Sequence, residues 1–284
     1  MSDSSQHAHA YRPPDGLEVL HQHARMESED RPPLLFIHGG YVAAWCWAEH
    51  YLPYFADRGY SCAAVSLRGH GGSGHDGTIH QLSLDDYLAD IERAAAGFDR
   101  APVLIGHSMG GLLVQRFIER HGAPGAVLMA SVPEQGLLAS SLHLFLRNPW
   151  FMHQVSVLEW FGPAAAQQLY GTTPARTSLF SRHLDADRAD NYVRRAGVES
   201  ALALMEMAVD DALWRPALGS VPALVLGADD DALISPLAVR QVARRFGVEP
   251  RMLLSVGHAM MLDEGWRDAA GLILEWLVRT FDDG

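Results

Sequence analysis

Short apolar runs recur along the chain at 34–37, 62–67, 103–105, 126–129, 223–226 and 252–256, each bounded by Gly, Pro or Asp. Runs that are apolar on both faces suit strands of a parallel sheet covered by helices on each side. An earlier stretch, 17–26, alternates instead, and predicts a strand with one wet face on which His21 and His23 stand together. Segments of helical period lie between most of the runs, at 84–96 and 112–120 for example, and another follows the last run at 266–280. Such alternation predicts a doubly wound, mostly parallel α/β sheet.

The alternation breaks once. Between the run ending near Ala130 and the run starting near Val221 no strand pattern occurs, and a connection of that length needs structure of its own. Helical patterns at 137–146, 151–160, 164–170, 187–196 and 200–210 fill it, punctuated by Pro149, Gly162, Pro163, Pro174 and Pro216. The expected organisation is an α/β core at 1–133 and 217–284 with a helical cap at 134–216, inserted after the sixth strand.

Composition narrows the function classes. Of 284 residues, 48% are apolar and 20% charged, as in packed globular chains. A formal charge of −12 would repel a polyanion, so nucleic acid is not an expected partner. All 22 basic residues are Arg, which removes Schiff-base catalysis and Walker-type phosphate binding, both of which need Lys. Two cysteines, Cys46 and Cys62, are too few for a disulfide framework and read as small buried apolar residues. Residues 1–14, with His7 and His9, read as a polar tail without the apolar core of a signal peptide, and no uncharged apolar run reaches membrane-spanning length. A soluble, cytoplasmic protein without stable membrane insertion is expected. His21 and His23 lack a nearby third ligand, so no metal and no cofactor is expected.

The strongest chemical signal is Gly106-His107-Ser108-Met109-Gly110, which follows one apolar run directly and opens a helical pattern. A serine on a sharp strand-to-helix turn presents its hydroxyl above the sheet, and the flanking glycines admit the tight backbone. Ser108 is therefore the candidate nucleophile. Serine needs a base within hydrogen-bond reach, and His258, in the loop after the last run, lies at the strand edge where open α/β sheets gather their sites. An acid must orient that histidine. Asp229, Asp230 and Asp231 all follow the run at 223–226; Asp231 is favoured because the apolar residues after it can pin its loop, with Asp230 second and Glu134 a distant alternative. For the developing oxyanion, the backbone amides of Gly40 and Met109 are the expected donors, with Tyr41 able to replace Gly40.

These residues resemble the α/β-hydrolase fold family, in its capped esterase and lipase branch. The matching pieces span most of the chain: His-Gly-Gly at 38–40, Ser-Leu-Arg-Gly-His-Gly-Gly-Ser at 66–73, the Ser108 elbow, 227–236, and Gly257-His258. The Trp45-Cys46-Trp47 sequence is similar to that of small esterases related to hydroxynitrile lyases. The acid loop departs from the common pattern in carrying extra aspartates. The resemblance implies a Ser-His-Asp triad and hydrolysis of a small carboxylic ester through an acyl-enzyme. Lactonase or thioesterase activity would use the same groups, and a lyase or a ligand-binding receptor on this fold are remoter alternatives. Similar folds used as dehalogenases or epoxide hydrolases carry Asp at the elbow, against which Ser108 argues. Trp150, Phe151, Trp160, Phe161, Met205, Met207 and Trp214 of the insertion, with Trp45 and Trp47, suggest a pocket for a medium-sized apolar group. Substrate identity and oligomeric state stay open.

Overall fold

The computed structural model describes residues 9–11, 16–25, 31–136, 149–208 and 217–282. Its organising element is an eight-stranded sheet in the order β1-β2-β4-β3-β5-β6-β7-β8, with β1 at His9–Tyr11, β2 at Glu18–Gln22, β3 at Leu34–Ile37, β4 at Cys62–Ser66, β5 at Val103–His107, β6 at Ala126–Met129, β7 at Ala223–Ala228 and β8 at Arg251–Leu253. The first two strands pair antiparallel and all the others parallel. Every residue of β3 is fully buried. That is the condition under which a strand reads as an unbroken apolar run.

Helices close both faces. Besides α1 (Trp45–Ala48) and α2 (Tyr51–Ala56), α3 (Leu84–Ala96) begins in a capping box in which Ser83 and Asp86 exchange side-chain-to-backbone bonds. α4 (Met109–His121) springs directly from β5, four helices come next among the described residues of the insertion, and α9 (Pro236–Phe246) and α10 (Trp266–Phe281) complete the core. The insertion follows the sixth strand, as expected, with α5 (Pro149–Tyr170), α6 (Thr173–Leu179), α7 (Ala186–Arg194) and α8 (Ala201–Ala208). Gly162, at φ 84°, breaks the helical path of α5, so the two helices expected there run end to end. The sequence pattern did not show α6: Pro174, taken as punctuation, sits in its first turn, where proline is tolerated. The helix expected at 137–146, the end of the strand expected to Met26, and Trp214 lie outside the described residues.

Three sequence expectations change. His9–Tyr11, expected within a polar tail, forms an edge strand paired to residues 19–21. The last strand is shorter than the run at 252–256, because Leu254 is exposed and Ser255 turns the chain at φ 59°. Trp47, expected near a ligand pocket, is core: it is fully buried, with Phe36 and Tyr51 ring centroids 5.1 and 5.2 Å away.

Where β3, β4 and β5 end, the backbone is packed without slack. A Cβ on Gly110 would stand 2.4 Å from the His38 carbonyl oxygen and 2.5 Å from that of Ile37, so α4 can leave β5 here only with glycine. The buried His38 ring ties two strand ends, its Nε2 accepting from Leu67 N–H at 3.0 Å and its Nδ1 donating to the Gly39 carbonyl at 2.7 Å. Burial, reinforced by nearby His70, pushes its pKa down to about 3, so it is neutral. His107 is pushed well below its ordinary value, chiefly by burial.

Two outcomes follow from this packing. Gly110→Ala should lower the unfolding free energy by about 1–3 kcal/mol in urea titrations, whereas an unchanged midpoint would contradict the crowding. The unfolded chain protonates both histidines near pH 6.5 while the folded one refuses, so stability should fall as pH drops below 6.5. The slope should approach, and not exceed, about 1.4 kcal/mol per pH unit for each histidine as pH falls, and a flat profile from pH 6.5 to 5 would refute it.

Candidate active site

Four loops meet at the C-terminal edge of the sheet. The first is the turn after β5, where Ser108 takes φ 53° and ψ −117°, a conformation costly for a residue with a Cβ. Neighbouring strands hold that shape: Ser108 N–H donates to the Met129 carbonyl at 3.0 Å, and the Ser108 carbonyl accepts from Val132 N–H at 3.1 Å. Ser108 is partly exposed while its neighbours His107 and Met109 are buried. Met109 is the first residue of α4, where an amide has no acceptor within its own helix.

The second loop follows β3. A Cβ on Gly39 would lie 3.0 Å from Ser108 Cβ, which places the His-Gly-Gly turn directly beside the elbow. Tyr41, next along, is left-handed at φ 67°, and its N–H donates to Glu199 Oε2 at 3.3 Å. Its carbonyl accepts from Gly197 N–H at 2.8 Å. The Tyr41 amide, expected as the alternative to that of Gly40, is thus engaged with Glu199.

The third and fourth loops follow β8 and β7. His258, 3% exposed, lies with its ring centroid 4.7 Å from that of His107, and its carbonyl receives the His107 Nε2 proton at 3.0 Å. Its Nδ1 meets Asp231 Oδ2 at 2.9 Å. The other Asp231 oxygen accepts from Leu233 and Ile234 N–H at 2.7 and 2.8 Å, so the apolar residues after it do pin the loop. Asp229 and Asp230 are exposed; Asp229 instead accepts from Ser255 N–H at 2.7 Å. Glu134 pairs with Arg245. Of the acids considered from sequence, Asp231 is the one brought to His258.

Buried groups that the sequence reading passed over surround these loops. Glu199, fully buried, accepts from Tyr87 O–H at 2.7 Å and from Ser200 N–H at 2.8 Å, and meets His70 Nε2 at 3.1 Å. Burial opposes its charge, but His70 and the other donors outweigh it and hold its pKa below the ordinary value. Burial likewise lowers His70, yet the carboxylate beside it raises it on balance. Asp263, also fully buried, accepts from Ser181 N–H (2.7 Å), Ser181 Oγ (2.7 Å), Gly257 N–H (2.8 Å) and Glu264 N–H (2.7 Å). The Ser-Leu-Arg-Gly-His stretch carried the signal for His70, but a lone Glu between two helical patterns carried none for Glu199.

Beside the turn after β3 a cavity of about 380 Å³ is lined by Tyr41, Trp45, His70, Arg195 and Val198 among others. The Arg195 guanidinium lies 3.7 Å over the Trp45 ring. The insertion's expected pocket residues divide: Trp150, Phe161 and Met205 are exposed, Met207 is buried, and the side chains of Phe151 and Trp160 lie outside the described set. His21 and His23 line a separate cavity of about 760 Å³ together with Cys62, at the opposite edge of the sheet. Among the described residues, no cluster of three His, Cys, Asp or Glu could hold a metal, and no helix is long and apolar enough to cross a membrane.

Comparison with known proteins bears on the family and the fold. The non-heme haloperoxidase of Rhodococcus erythropolis is 38% identical over 123 residues, 42% of each chain. Epoxide hydrolase 1 of Caenorhabditis elegans is 29% identical over 131 residues, 44% of this chain and 32% of its own. The chain thus spans less than half the length of these curated relatives. Among solved structures, a thermophilic esterase from Thermogutta terrifontis superposes with a TM-score of 0.71 at 18% identity, covering 93% of this chain and 94% of its own. A Nitrososphaera gargenis structure from work on carboxylesterases does so at 0.68 and 15%, covering 97% and 100%. At such identities these two show the shared fold. The pattern of the alpha/beta hydrolase family matches residues 34–271, from β3 into α10, and the chain belongs to that family.

Proposed function

We propose that the protein is a serine esterase, cleaving carboxylic esters through an acyl-enzyme. The observation that carries this reading is the 2.9 Å bond between His258 Nδ1 and Asp231, beside a strained elbow that lifts Ser108 to the surface. With Nδ1 donating to the carboxylate, Nε2 is the basic nitrogen and takes the Ser108 proton as Oγ attacks the ester carbonyl. Asp231 then stabilises the imidazolium. The tetrahedral oxygen is held by the Gly40 and Met109 amides, fixed before the reaction and so needing no reorganisation. Collapse expels the alcohol, protonated by His258, and water repeats the sequence to release the acid.

In this reading the helices of 134–216 are a cap over the site. The cavity beside the oxyanion turn has the size and partly apolar walls of a small-ligand site, which supports a medium-sized apolar acyl or alcohol group. No cofactor takes part in the steps. A second reading is favoured by the haloperoxidase names among the relatives: peroxide in place of water would attack the same acyl-enzyme and release a peracid. Adding hydrogen peroxide to the ester assay and measuring peracid separates the two.

Ser108→Ala should abolish turnover of p-nitrophenyl esters, by roughly a thousandfold or more, without lowering the melting temperature; equal activity in the variant would end the proposal. Asp231→Asn should reduce kcat by roughly 10³–10⁴ while Asp230→Asn stays within a few-fold, and the reverse order would move the acid to Asp230.

A further inference from the structure

Glu199 belongs to the insertion, yet it is bonded to three parts of the core around the oxyanion turn. One oxygen accepts from Tyr87 O–H of α3; the other faces Tyr41 N–H and His70 Nε2. That second oxygen would also lie 3.3 Å from a Cβ on Gly40, so it abuts the residue proposed above as an oxyanion donor. Two residues earlier, Gly197 N–H binds the Tyr41 carbonyl. Both backbone polar groups of the left-handed Tyr41 are thus held from the insertion.

A buried carboxylate at this place raises a difficulty. Negative charge develops on the substrate oxygen in the transition state, and an uncompensated anion nearby would oppose it in a site of low dielectric. His70 supplies the compensation. Its Nδ1 faces the Arg68 carbonyl at 3.1 Å and its Nε2 the Glu199 carboxylate at 3.1 Å. Each contact calls for an N–H, so the ring carries both protons and a positive charge. The other ionisable rings against it are His38, with ring centroid 5.1 Å away and neutral, and Tyr87, at 5.6 Å and donating to Glu199.

We propose that Glu199 and His70 are a charge-neutral pair of positioning residues for the oxyanion hole. Glu199 fixes the Tyr41 turn and with it the Gly40 amide, and the His70 imidazolium cancels the field that the carboxylate would otherwise exert on the forming oxyanion. This rests on the reading of Ser108 as nucleophile and Gly40 as donor, and it makes the insertion part of the catalytic apparatus as well as a cover.

The two roles separate in a set of four variants. Glu199→Ala removes the acceptor and should lower kcat roughly 30-fold with KM within about twofold; Glu199→Gln keeps an acceptor oxygen, lets His70 become neutral, and should stay within about fivefold of wild type. His70→Gln leaves the carboxylate unpaired and should lower kcat roughly 30- to 100-fold. The double variant His70→Gln with Glu199→Gln should return to the level of Glu199→Gln. A purely structural pair predicts the opposite, a double variant no better than His70→Gln, and that result would overturn the proposal. So would a loss confined to KM. If His70→Gln does not fold, Glu199→Ala against Glu199→Gln decides: recovery of kcat in the Gln variant is expected, and equal loss would overturn it. The affinity of phenylboronic acid gives a parallel readout, since serine Oγ adds to boron to form a tetrahedral anion. It should follow the same order as kcat. Because it needs no ester turnover, it distinguishes failure of this pair from failure of the esterase reading.

Discussion

A carboxylate removed from water is tolerated only when donors surround it, and two such carboxylates fasten this molecule together. Glu199 collects its donors from α3, from the turn after β3 and from the loop after β4. Asp263 collects four from the insertion and the His258 loop. Neither can be satisfied unless the insertion sits against the core. Because the donors include the Tyr41 and Gly257 amides, in the loops that carry Gly40 and His258, satisfying the acids also ties those loops down.

Backbone strain gathers at the same edge. Tyr41, Ser108 and Ala130 take positive φ at or just beyond the ends of the adjacent strands β3, β5 and β6, although each bears a Cβ. Such conformations cost of the order of 1–3 kcal/mol each and persist only where surroundings enforce them. Enforcement here comes from strand-end bonds to Ser108 and Ala130 and from the insertion's hold on Tyr41. The sheet interior, with its unbroken apolar runs, provides the rigid frame against which these turns are bent.

Much of this was legible in the sequence because it depends on local pattern. Double-faced burial wrote β3 through β7 as apolar runs, and the elbow announced itself through glycines that crowding makes obligatory, as at Gly110. Asp231 was separable from Asp229 and Asp230 only weakly, since side-chain direction in a turn depends on its bonds. The bonds to Leu233 and Ile234 amides supply that direction. The edge strand at His9–Tyr11 and the early end of β8 escaped because edge positions lack a two-sided burial signature. Glu199 and Asp263 escaped for a different reason: the partners that join insertion to core are 82 to 158 residues away in sequence, and an acid between helices looks the same whether it faces solvent or core.

The two fastenings lie within a short span of the insertion, around Leu179–Ser181 and Gly197–Glu199. The long α5 precedes both in the chain and exposes Trp150 and Phe161. The insertion therefore has a part bonded to the core beside Gly40 and His258 and a part, α5, that exposes large apolar side chains. For anyone reshaping substrate range, the second part is the exchangeable module, and a transplant should keep its joints outside 179–199.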